Sequence, residues 1–264
     1  MLAAAAASAE CVQLLLESGA KPAARSTRHV TALLLSAIEG SVDIVRPLLA
    51  AKAEPDVAEE GGTTPLIAAA SEGHAEVAAA LLHAGASLDL VTEQGVSALM
   101  FAAQGGCVSI VSSLLQRGAR ADLVAKSPEN PCGTALIGAA RSGSLEVIAQ
   151  LLAAGSAING QRGDGTTPII QAAWNNHATA IEALVDAKAD VNHTDKTGMS
   201  ALMRASNDGH MDAVRTLLKL GAKKGLVATD SATTYNATTN NATTALSLAR
   251  SNKHELIVEL LQAA

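Results

Sequence analysis

Histidine is the side chain best suited to proton transfer and zinc binding near neutral pH, and the chain holds seven among 264 residues. Four of them, His74, His177, His210 and His254, stand at one position of a sequence repeat. Recurrence at one position of a repeat assigns them a structural role rather than convergence on a single reacting atom. Gly160, Gly163 and Gly165 spell GxxGxG, but the run continues Thr166-Thr167-Pro168. A phosphate-binding loop needs the strand-to-helix setting and a following Lys-Ser or Lys-Thr, so no nucleotide site is expected. Ser, His and Asp occur without a recognisable nucleophile setting. Cys11, Cys107 and Cys132 have no CxxC spacing, which signals neither a disulfide framework nor a zinc site and fits a reducing compartment. The expectation is a chain that is not an enzyme, with no catalytic residue, no metal and no cofactor.

Composition points the same way. Hydrophobic residues make up 48%, yet aromatics only 1% (Phe101, Trp174 and Tyr235), so the core must be built from Ala, Leu, Val and Ile. Such small side chains suit closely spaced helices and predict an all-α fold. A net charge of -6 argues against nucleic acid or an anionic membrane as partner. The local exception, Lys21, Arg25, Arg28 and His29, reads as a solvated loop rather than a phosphate site, and the acidic stretch Glu54, Asp56, Glu59 and Glu60 follows it in sequence. MLAAAAASAECVQLLL lacks the basic start of a secretory signal and is interrupted by Glu10. No apolar run is long enough to span a bilayer, so no membrane insertion is expected. Cytoplasm, with the nucleus as second choice, is the predicted location, where the sequons at Asn192, Asn236 and Asn241 have no meaning.

What positions these residues is a repeat. A Thr or Ser, then Pro or Ala, then Leu or Ile recurs at Thr31, Thr64, Ser97, Thr134, Thr167, Ser200 and Thr244, mostly 33 residues apart. Leucine pairs such as Leu48-Leu49, Leu81-Leu82, Leu114-Leu115, Leu151-Leu152 and Leu217-Leu218 follow their anchors at a constant distance of 17. In the unit TPLIAAASEGHAEVAAALLHAGA, Thr64 caps a first helix and Pro65 occupies its first turn, where the missing N–H is harmless. Gly73 ends that helix, and Val77, Ala78, Leu81 and Leu82 form the apolar stripe of a second. Gly85 supplies the left-handed stop. One such hairpin cannot bury both helices; a stack of them can.

TPLxxAA, GHxE and LLxxGA at this period resemble the ankyrin repeat over essentially the whole chain. The resemblance implies one ankyrin-repeat solenoid over 1–264: stacked helical hairpins with β-turn fingers, about seven full repeats, and a partial one over 1–30 where Ser8, Glu10, Leu15, Leu16, Gly19 and Ala20 fall in register. Departures are informative. The consensus His after Thr-Pro-Leu is replaced by Leu34, Ile67, Met100, Ile137, Ile170, Met203 and Ser247. Lys52 and Lys188 stand where Gly should stop a helix, at about 1 kcal/mol each if left-handed. Pro47 inside a second helix removes a backbone hydrogen bond at about 3 kcal/mol if uncompensated, making the N-terminal end the first to open. Finger insertions fall near 124–133 and 226–243, and neither end of the chain carries the polar face of a capping repeat, which suggests neighbouring sequence.

The resemblance also implies a function: binding a protein partner through the concave helical face and the finger tips, as a monomeric scaffold or interaction module. The alternative is a regulatory or targeting segment of a larger protein such as a channel, kinase or ubiquitin-ligase subunit. Positions four, seven and eight after an anchor share a helical face. They select Phe101, Gln104, Arg141, Gln171, Trp174, Asn175, Arg204, Asn207 and Asp208 as the candidate protein-binding residues. Trp174 between Arg141 and Arg204 is the centre, because Trp and Arg dominate interface energetics. Arg25, Thr27, Arg28, Glu60, Glu93, Gln94, Arg162, Asp164, Lys196 and Thr197 at the finger tips form a second candidate surface. Asn159 and Asn192 sit where the resemblance implies substrates of asparagine hydroxylases.

Overall fold

The anchors predict where each first helix begins. The computed structural model, which describes residues 2–5, 8–126, 133–228 and 242–263, bears this out for the repeats. Much of the two finger insertions, with Cys132, Tyr235, Asn236 and Asn241, lies outside the described residues. The chain divides into two compact units, Met1–Lys126 and Ser127–Ala264.

In the first unit the helices are α1 (Leu2–Ala5), α2 (Ala9–Glu17), α3 (Ala32–Ile38), α4 (Val42–Ala50), α5 (Pro65–Glu72), α6 (Ala75–His83), α7 (Ala98–Gln104) and α8 (Val108–Gln116). The first helices α1, α3, α5 and α7 stack on one another, and the second helices α2, α4, α6 and α8 form a parallel layer. The second unit repeats the plan with α9 (Ala135–Ser142), α10 (Leu145–Ala153), α11 (Pro168–Trp174), α12 (Ala178–Asp186), α13 (Ala201–Asp208), α14 (Met211–Lys219), α15 (Ala245–Ser251) and α16 (Glu255–Ala263). There α9, α11, α13 and α15 stack, as do α10, α12, α14 and α16. Fingers are turns closed by single antiparallel bridges, Arg25 to Thr31, Val91 to Ser97 and Thr194 to Ser200.

Capping fixes the start of the first helices. The hydroxyls of Thr31, Thr64, Ser97, Thr134, Ser200 and Thr244 each accept from the N–H three residues on, a bond worth typically about 1 kcal/mol. Thr167 departs from the pattern: its hydroxyl makes no cap bond. The residues that replace the consensus His are core: Leu34, Ile67, Met100, Ile137, Ile170 and Met203 are almost wholly buried. Each such burial contributes roughly 1.5–3 kcal/mol. Ser247 instead completes a reciprocal capping box with Thr244.

The helix stops follow backbone strain. Lys52 and Lys188 adopt φ of 66° and 73°, in the left-handed region where Gly155 and Gly221 sit at 86° in equivalent turns. A Cβ at either glycine meets nothing within 4 Å, so the backbone alone sets the preference. Lys188→Gly is expected to raise stability by about 1 kcal/mol, read as a higher urea midpoint; an unchanged midpoint would show that the lysine side chain recovers what its backbone loses. Pro47 lies in the interior of α4. Asp43, whose carbonyl lost its donor, is exposed, so water offsets part of the deficit expected from the sequence.

Candidate protein interface

The repeated histidines set the register between neighbouring repeats. The Nε2 of His177 lies 2.9 Å from the carbonyl oxygen of Arg141, that of His210 3.0 Å from Trp174 O, and that of His254 3.0 Å from Asn207 O. A carbonyl only accepts, so each imidazole donates through Nε2–H. In the first unit His74 makes the same bond to Ile38 O at 3.0 Å. In these four repeats one side chain thus ties the end of one first helix to the start of the next second helix; Ser41, Cys107 and Ser144 stand at the equivalent position in the other three. The histidine bond also places Arg141, Trp174 and Asn207 at the same point of three consecutive repeats. At Asn176, left-handed with φ of 57°, the side chain reaches further and its Oδ1 accepts from Ala213 N–H at 3.2 Å, in the first turn of α14.

Trp174 is the last residue of α11 and is 37% exposed. The guanidinium of Arg204, on α13, lies over its ring at 4.8 Å from the centroid, a cation–π contact within the usual range. Arg204 is held in turn by Asp195 in the finger before α13, Nη2 to Oδ2 at 2.6 Å. The Asp195 side chain is 2% exposed. Its other oxygen accepts from Thr197 N–H, Thr197 Oγ1 and Met199 N–H at 2.9, 2.6 and 3.0 Å, so the carboxylate both closes the finger turn and clamps Arg204. Finger, α13 and α11 are therefore locked into one unit that presents a rigid indole.

The same pair of helices concentrates unsatisfied polarity. Among the described residues, four side-chain atoms are buried without a hydrogen-bond partner: Thr167 Oγ1, Gln171 Oε1, Arg204 Nε and Ser206 Oγ. All four lie on α11, on α13 or at the cap of α11. A buried polar atom without a partner costs about 1–3 kcal/mol, and such groups cluster where a sequence serves something other than stability.

The remaining candidates separate. Arg141 and Asp208 are exposed; Asn175 and Asn207 are half-buried. Asn207 donates to Asp208 Oδ1 and accepts from Asn252 Nδ2 on the next repeat, at 2.6 and 3.0 Å. Asn175 donates to Gln171 O at 2.9 Å. Gln171 is not on the open face: it is 5% exposed, because four residues past the anchor is close enough to the stack for neighbouring first helices to cover it. Phe101 and Gln104, both half-buried, belong to α7 of the first unit. The spacing from the anchors does not select Asp195. The signal available was its place five residues before the anchor, where Ser26 and Thr92 also use a side-chain oxygen to close their turns.

In the fingers the basic cluster meets the acidic loop that follows it in sequence, Arg25 with Glu54 at 3.4 Å and Arg28 with Glu60 at 3.8 Å, a pairing that sequence order alone does not predict. Both pairs are exposed and contribute little. Asn159 and Asn192 each accept from the backbone 31 residues on, at Asp190 N–H and Lys223 N–H, as Asp56 does from Ser87 and Asp89 from Arg120. These side chains stitch neighbouring fingers together. In the glycine-rich finger, Arg162 pairs with Asp164. Partial burial works against ionisation of Asp164, but hydrogen bonds from Arg162 and Thr166, with the Arg162 charge, hold its carboxyl down from 3.8 to about 2. A lowered carboxyl stabilises the fold above its unfolded value and loses that contribution as pH falls toward the folded one. Carbon-detected NMR is expected to show Asp164 still ionised at pH 3, with the finger loosening between about pH 4 and 2; a midpoint at the ordinary value would show that the pair does not persist in solution.

The family model described as ankyrin repeats (3 copies) matches residues 1–92, 33–126, 99–195, 136–228 and 189–264, which together span the chain. The chain belongs to the ankyrin-repeat family. Among solved structures, the crystal structure of the human ASB11 ankyrin repeat domain is similar with a TM-score of 0.73 and 23% identity, covering 90% of this chain and 98% of that one. At that identity the likeness shows the fold alone. No curated protein matches the chain. Ankyrin repeats are protein-binding modules as a class. No helix among the described residues is long and apolar enough to cross a membrane.

Proposed function

We propose that this ankyrin-repeat chain recruits a protein partner through the inner helical face of its second unit, with Trp174 as the central contact. The observation that carries this reading is the Trp174–Arg204–Asp195 stack: an exposed indole held in place by an ion pair whose carboxylate is buried. A pre-ordered aromatic loses little freedom on binding, so its contact area converts efficiently into affinity. The unsatisfied atoms of α11 and α13 support the same location. The fingers flank this face and contribute polar contacts at its rim.

The test is capture from extracts of the source cells, followed by affinity measurement on whichever protein is retained. Trp174→Ala is expected to weaken binding by at least about 2 kcal/mol, roughly thirtyfold, while circular dichroism stays unchanged. Equal affinity of a correctly folded Trp174→Ala chain would move the interface elsewhere.

A further inference from the structure

We infer that the inner face of the second unit takes an extended acidic peptide segment, with a Glu or Asp side chain at Arg141 and a bulky apolar side chain three residues away on the ring of Trp174. The inference rests on the proposed role of this face and adds the chemistry of its ligand.

Charge decides the class. Arg204 is the cation nearest the indole, but Asp195 already neutralises it and the Trp174 ring covers it. Arg162 is likewise paired with Asp164. That leaves Arg141 on α9, Lys196 in the finger before α13 and Arg250 on α15, all exposed and none in an ion pair among the described residues; of the two on helices, Arg141 is the one whose helix packs directly on α11. The one exposed carboxylate of the row, Asp208, lies on α13, on the far side of Trp174 from Arg141. Across α9, α11 and α13 the face therefore runs from cation through aromatic to carboxylate. A peptide lying across the helices meets these groups in that order, with its own acid at the Arg141 end.

Geometry sets the spacing. The histidine bonds place Arg141 and Trp174 at equivalent points of adjacent repeats, and packed helices lie roughly 10 Å apart. An extended chain advances about 3.3 Å per residue, so about three residues separate the acid from the apolar side chain. A shorter spacing leaves one contact unmade, and a helical ligand, at about 1.5 Å per residue, would need about seven.

Peptide-display selection on the full chain, with random twelve-residue peptides as the probe, tests this directly. Synthetic versions of the selected peptides are then titrated while following the emission of the chain's single tryptophan. Expected are peptides with Asp or Glu three positions from Leu, Ile, Met or Phe that shift the Trp174 emission, and about tenfold weaker binding when the acid is replaced by its amide. Arg141→Gln should abolish that tenfold preference, so that acid and amide peptides bind alike. Selected peptides that need Trp174 but carry no acid, or that bind equally with Lys at the acidic position, overturn the ligand chemistry and leave the binding face standing. Peptides indifferent to Trp174→Ala, or no selected peptide at all, overturn the inference together with the reading on which it rests.

Discussion

Asp195→Ala is expected to lower stability by about 3 kcal/mol. Removing one partner of a buried pair costs about 3–5 kcal/mol because the other charge is left uncompensated. Arg204 is 22% exposed, which softens that penalty. Asp195 also accepts three hydrogen bonds within its finger, which restores the sum. The single tryptophan reports the event from within: its ring loses a fixed guanidinium, so urea melts followed by emission read both the midpoint and the native baseline. The double substitution Asp195→Ala/Arg204→Met separates the causes. It carries no stranded charge, and is expected to recover at least about 1 kcal/mol relative to the sum of the singles. Strict additivity would mean that the ion pair is not what holds the indole, and that the finger bonds account for the whole loss.

Gly143→Ala is expected to destabilise by about 2–4 kcal/mol, although Gly143 lies on the surface side of the stack. Its φ is 70°, and a Cβ there would lie 2.6 Å from Nδ1 of His177 and 2.7 Å from Cγ. The left-handed backbone accounts for about 1 kcal/mol. Displacing the imidazole accounts for another 1–3 kcal/mol of overpacking, since the ring cannot move away without breaking its bond to Arg141 O. His177→Ala in the same chain removes the obstacle but also the bond. The double mutant should therefore be less damaged than the two singles summed, with a residual loss of about 1 kcal/mol for the bond. A Gly143→Ala chain that melts within about 0.5 kcal/mol of the parent would show that the histidine is not wedged against the backbone.

The histidines illustrate how far residue types alone reach. Their recurrence excludes convergence on one centre, yet nothing in a 33-residue period says that each imidazole donates to a carbonyl one repeat back or packs against a left-handed residue. Left-handed Lys52 and Lys188 were legible because a helix stop at that position demands positive φ whatever side chain occupies it. Thr167 and Gln171 show the opposite limit. Position four after an anchor selects Gln171 for the open face, whereas neighbouring helices cover its amide, and Thr167, an anchor like the other six, makes no cap bond.

By itself the sequence determined the repeat, the order and limits of most helices, the residues that fill the core and the side of each hairpin from which Trp174 projects. All of these follow from local periodicity and backbone preference, which act within a few residues. Only the tertiary structure decided that Arg204 is spent on Asp195 and Trp174 rather than offered to a ligand, that Gln171 is covered, and that Arg141 keeps its charge available. Those outcomes depend on rotamers and on partners brought together by stacking, in the case of Arg141 and Trp174 from one repeat to the next, and no periodicity along the chain records them.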